Sequence, residues 1–69
     1  METIGAKLRR LRTIRGLSVR ELARRSGVSP GRISQLENEM SQNAHADTLD
    51  LLAKGLGFDS GAIFFDDSV

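Results

Sequence analysis

The sequence predicts an all-α fold of five short helices. Apolar residues recur at spacings of three and four, no stretch alternates with a period of two, and glycines and hydroxyl caps punctuate the chain at short intervals. With 69 residues there is room for one domain, residues 1–69, and at that size a single core is only just sufficient. The absence of cysteine excludes disulfides and thiolate metal sites, and the one histidine, His45, cannot make a zinc site alone. No cofactor is expected in this segment.

The elements follow in order. Ile4, Leu8, Leu11 and Ile14 give one apolar stripe, predicting an amphipathic helix from about 3 to 15 that Gly16 ends. Ser18, with Glu21 three residues on, is a capping box that opens a short helix burying Leu22 and Ala23 and stopping before Gly27. Ser29 and Pro30 start the third helix, a hydroxyl cap followed by proline where its missing N–H does no harm, and it runs to about Asn38.

Residues 38–45 lack apolar periodicity and read as a loop. A fourth helix, about 46 to 55, buries Leu49, Leu52, Ala53 and Leu56, and Gly57 breaks it. Asp59 is the expected cap of a last short helix carrying Ile63 and Phe64.

Residues 19–36, VRELARRSGVSPGRISQL, are the most informative segment. Ala23 permits close helix approach, Gly27 supplies a left-handed stop one turn later, and Val28, Ile33 and Leu36 are the apolar anchors. Such a unit, about 18–38, is a helix-turn-helix, whose second helix suits a DNA major groove. Charge agrees with this. Residues 1–32 hold nine basic side chains (Lys7, Arg9, Arg10, Arg12, Arg15, Arg20, Arg24, Arg25, Arg32) and two acidic ones, a net of +7, whereas residues 33–69 hold Lys54 and seven acids, a net of −6. A basic face is the footprint of a polyanion partner, although a solvated helix surface gives the same pattern.

The segments IGAKLRRLRTIRGLSVRELARRSGVS, ISQLEN and DTLDLLAKGLGF resemble those of the phage-repressor-like, or xenobiotic-response-element-type, family of helix-turn-helix DNA-binding domains, from about Ile4 to Phe65. The resemblance implies a compact five-helix, lambda-repressor-like domain and usually a homodimer on a palindromic operator. It also implies that Arg12 and Glu37 form a partly buried pair tying the first helix to the third, which makes Arg12 structural.

Base reading is expected from the solvent side of the third helix, away from Ile33 and Leu36: Ser29, Pro30, Gly31, Arg32, Ser34 and Gln35. Gln35 suits adenine, and Arg32 suits guanine or a phosphate. Pro30 and Gly31 stand where the resemblance implies polar readers, leaving them shape, close approach or a thymine methyl. Few hydrogen-bonding readers remain, so part of the specificity is expected to be indirect.

Phosphates are assigned to Arg20, to Ser18 with the free N–H groups beside it, and to Asn38. The chain departs from the family at Val19, where many relatives carry a phosphate-gripping glutamine, and at Asn38-Glu39-Met40, where relatives commonly have glycine and a basic residue. Glu39 beside a phosphate is repulsive.

Other apparent sites have plainer readings. Gly55, Gly57 and Gly61 read as helix termination, Asp66-Asp67 as a solvated tail and His45 as a loop residue. Ser18 and Ser29 have caps to form and no catalytic base, so no enzyme is expected. Phe58, Phe64 and Phe65 are the only aromatic residues, and Phe65 is the candidate dimer contact, with burial of all three in the monomer core as the alternative.

The expected function is sequence-specific transcriptional regulation, as a repressor or autoregulator, by a dimer on double-stranded DNA. The alternative is a protein-interaction adaptor or antitoxin-like partner that binds another protein through the acidic C-terminal half. No apolar run approaches the ~18 residues of a membrane span, and METIGAKLRR lacks a secretory apolar stretch. A cytoplasmic protein, on the nucleoid when DNA-bound, is therefore expected.

Overall fold

Local capping rules set the helix boundaries in the computed structural model, which describes residues 2–38 and 44–69. The first helix, α1 (Ile4–Ile14), starts at Thr3, whose Oγ1 accepts from the Ala6 N–H at 3.0 Å. The second, α2 (Val19–Ser26), opens on the expected capping box. The Glu21 N–H donates to Ser18 Oγ at 3.1 Å and the Ser18 N–H donates to the Glu21 carboxylate at 3.2 Å. Gly27 closes α2 at φ +79°, a left-handed conformation that costs a residue with a Cβ roughly 1–2 kcal/mol.

Pro30–Asn38 forms α3 and Ala46–Gly55 forms α4, and a 3-10 helix, Gly61–Phe65, follows. Strands are absent among the described residues. Here α1 packs on α3 and on the 3-10 helix, α2 on α3 and α4, and α4 on the 3-10 helix. Leu8, Leu22, Ile33, Leu49 and Leu52 are fully buried between them, joined by Val28, Leu36 and Phe64. Leu17, in the connection after α1, adds to the same core. No helix is long and apolar enough to cross a membrane among the described residues.

Two contacts fix α1 on α3. A Cβ on Gly5 would collide with the Leu36 carbonyl oxygen, so glycine is what lets the backbones meet. Farther along α1, Arg12 forms the expected pair with Glu37, Nε to Oε2 at 2.7 Å and Nη2 to Oε1 at 3.0 Å, while its Nη1 donates to the Leu17 carbonyl at 2.8 Å. The pair is shielded, with side-chain exposures of 15% and 5%. The bidentate bond to Glu37 raises the guanidinium pKa, the two groups being held together as ions.

Several expectations need correction. Ile14 is 67% exposed: at about 100° per residue it stands some 120° round α1 from Leu8, off the buried stripe. The last helix is a 3-10 helix capped by Ser60, not Asp59; Ser60 Oγ accepts from the Ala62 N–H at 3.3 Å, and Asp50 of α4 accepts from the Gly61 N–H at 2.5 Å. Gly55 does not terminate α4 by conformational freedom; it is the last helical residue, buried where a Cβ would meet Ser26 and Leu22 of α2. The loop expected at 38–45 lies mostly outside the described residues, as does the repulsion expected at Glu39.

Lys7 is also displaced from its expected role. It is buried at 4% exposure and donates to the Asp66 carbonyl. Arg10 bonds the Glu2 carboxylate at 2.9 Å and the Val69 carbonyl at 2.7 Å. The segment around Asp66-Asp67 is thus tied by its backbone to α1, although both aspartates remain exposed.

Arg12→Ala strands the Glu37 carboxylate, and a cost of about 3–5 kcal/mol is expected. Arg9→Ala or Arg24→Ala, on exposed side chains, should change stability by no more than about 0.5 kcal/mol. Thermal melts of the three variants check this, and equal melting points would remove the pair from the account of the fold.

Candidate nucleic-acid interface

Helix α3 is built to show one face and bury the other. Ser29 Oγ accepts from the Arg32 N–H at 3.2 Å, and Pro30 follows as the first helical residue, so the helix starts where the sequence says it must. Ile33 and Leu36 face the core, and Glu37 is turned to Arg12. On the other side Ser29, Pro30, Gly31, Gln35 and Asn38 are exposed, and Arg32 and Ser34 half-buried. The six residues expected to read bases therefore share one helix and its cap, with Asn38 at its end.

The expected phosphate contacts Ser18 and Arg20 are exposed at the start of α2. Ser18 is heavily used there: its N–H and its hydroxyl both serve Glu21 in the capping box, leaving the N–H groups of Val19 and Arg20 as donors toward an anion. Hydrogen bonds from the Ser18 backbone, and then from its hydroxyl, hold the Glu21 carboxyl below its ordinary range. Glu21 is consequently ionised at neutral pH and already occupies part of the positive end of α2. Val19, where relatives were expected to carry glutamine, is half-buried and packs on the core.

The basic character of the first 32 residues divides in two. Lys7, Arg10 and Arg12 are committed to internal partners. Arg9, Arg20, Arg24 and Arg25 are exposed and make no ion pair among the described residues, and Arg15 lies over the Phe58 ring at 5.0 Å from its centroid. Phe65 lies elsewhere, 68% exposed on the 3-10 helix that packs against α4 and α1.

Two features of α3 escape a reading by residue type. Arg32 Nη1 donates to Gln35 Oε1 at 3.0 Å, so these two candidate readers hold each other. Their spacing of three residues is the only sequence signal for it. Gly31 has an ordinary helical backbone, and a Cβ there would meet nothing. The fold itself gives no reason for glycine at that position.

A family model described as helix-turn-helix matches residues 8–62, from the middle of α1 into the 3-10 helix. No match is found among the curated proteins.

The helical glycines Gly5 and Gly31 are expected to behave oppositely. Gly5→Ala forces α1 and α3 apart at the Leu36 carbonyl and should cost about 1–3 kcal/mol or more. Gly31→Ala has free space and lowers the entropy lost on folding, so its melting temperature should rise by about 2–8 °C. Calorimetry on both variants checks the pair, and a destabilised Gly31→Ala would show that the glycine serves the fold.

Proposed function

Because the chain belongs to the helix-turn-helix family of phage-repressor-like DNA-binding domains, we propose that this DNA-binding regulator is a sequence-specific repressor or autoregulator that binds a palindromic operator as a homodimer. The observation that carries this reading is the division of α3: its inner side is buried and tied to α1, while Ser29, Pro30, Gly31 and Gln35 are left facing solvent on a preformed helix. A repressor acts by occupying its site, which needs only this rigid presentation and no cofactor. Ser29, Pro30, Gly31, Arg32, Ser34 and Gln35 meet the base edges; Ser18, Arg20 and Asn38 position the backbone. Gly31 supports close approach, since the missing Cβ serves no packing need in the free chain.

The homodimer contact is assigned to elements other than α3. Phe65 at 68% and Leu51 at 47% are large apolar side chains left in solvent on the 3-10 helix and on α4, two elements that pack on each other. A second copy covering them would bury both side chains and join two reading helices in one assembly, as two half-sites require. Sedimentation of a Phe65→Ser variant should show a monomer at concentrations where the parent chain dimerises; normal dimerisation would exclude Phe65 as an anchor.

DNA reading has its own test. Gln35→Ala should weaken operator binding by about 1–3 kcal/mol and relax preference at one base pair, leaving non-specific binding nearly unchanged. Arg20→Ala should weaken binding to all sequences alike and make it less salt-dependent. Titrations at several salt concentrations, on a selected operator and on scrambled duplex, show the contrast. If no DNA is bound above background at low salt, the regulator reading fails in favour of a protein-interaction adaptor.

A further inference from the structure

The hydrogen bond between Arg32 and Gln35 changes what Gln35 can recognise. A guanidinium has five N–H donors and no acceptor, so the amide atom facing Arg32 Nη1 at 3.0 Å is the oxygen, Oε1, and the Nε2 donors point away from it. The bidentate contact of a free glutamine with adenine needs both ends of the amide, Oε1 accepting from N6 and Nε2 donating to N7. Here the accepting end is taken by a cation. Oε1 keeps a second lone pair, but an adenine amino group reaching it would sit beside the remaining N–H groups of Arg32, donor against donor.

The geometry points to Arg32 and Gln35 acting as one donor-only reading unit that selects guanine, not adenine, at the operator position faced by Gln35. This rests on the DNA-binding reading above. The unit offers the Gln35 Nε2 hydrogens and the unused N–H groups of Arg32, and guanine alone presents two acceptors, N7 and O6, on one base edge of the major groove. Both residues lie on the outward side of α3, one turn apart, and Arg32 makes no ion pair among the described residues that would draw it off the amide. The cation also serves a second purpose. It fixes the Gln35 rotamer before DNA arrives, so less side-chain entropy is lost on binding.

The test is selection of bound duplexes from a random pool by the full chain, by Gln35→Ala to identify the base pair Gln35 reads, and by Arg32→Met, which keeps an apolar stem and removes the donors. The parent chain should select guanine at the Gln35-dependent position, by about 5- to 150-fold over adenine. Arg32→Met frees the amide and should switch that position to adenine. Circular dichroism on each variant establishes that it is folded. Adenine selected by the parent chain, or a position unchanged in Arg32→Met, overturns the unit while leaving DNA binding intact; absence of binding to any duplex at low salt overturns the DNA reading itself.

Discussion

The attachment of α3 to α1 is the constraint on which the rest of the structure depends. A nine-residue helix that begins with proline and glycine has little stability of its own, since nucleation is costly and isolated helices shorter than about 12–15 residues are marginal in water. Here its last turn is caught twice, by the Gly5 backbone against the Leu36 carbonyl and by Arg12 on Glu37. The two catches fall on consecutive residues of α3, one apolar and one charged. Their combined effect is to fix both the depth at which α3 lies on α1 and its rotation about its own axis, because a shift along or around the helix breaks one or the other. The exposed side, from Ser29 to Gln35, then inherits its direction from a contact it does not touch.

Charge is spent in the same order. Lys7, Arg10 and Arg12 all lie on α1, and each holds a segment distant in sequence: the Asp66 carbonyl, Glu2 with the Val69 carbonyl, and Glu37. These three cations close the domain around its first helix, and the charges of Arg10 and Arg12 are compensated at short range by Glu2 and Glu37. The long-range field falls to Arg9, Arg15, Arg20, Arg24, Arg25 and Arg32, of which only Arg20 and Arg32 sit on the elements expected to meet DNA at their N-terminal ends. Glu21 opposes them within the first turn of α2. Counting basic residues along the sequence therefore overstates the attraction available to a polyanion.

What was legible in the sequence is local. Ser18 with Glu21, Gly27, and Ser29 with Pro30 act through bonds and dihedrals within a few residues, and their positions alone mark where α2 begins and ends and where α3 begins. The Arg12–Glu37 pair, 25 residues apart, was expected through family resemblance, since no local rule joins the two positions. What stayed hidden depends on distant atoms. The burial of Lys7 requires the Asp66 carbonyl, the need for glycine at position 5 requires the Leu36 backbone, and the cap on the 3-10 helix draws Asp50 from α4. Ile14 failed for a simpler reason, two consecutive steps of three residues, each falling about 60° short of a full turn. At the candidate interface, residue types gave only the expected readers; the bond between Arg32 and Gln35 appears when both side chains are placed.

That bond bears on how a domain with few polar readers can still discriminate. Pro30 and Gly31 offer no side-chain hydrogen bond, so on the proposed reading direct readout falls to four residues, of which Ser29 already accepts from the Arg32 N–H. A glutamine free to rotate accepts and donates and tolerates several base edges. Tied to a guanidinium it loses that ambiguity, because every remaining hydrogen at the pair is a donor. In the proposed unit, specificity comes from removing an acceptor from the surface, which penalises an amino-bearing edge as well as favouring guanine. The cost of fixing the pair falls on the folding of α3, where the helix already sets the two side chains one turn apart, and not on the encounter with DNA.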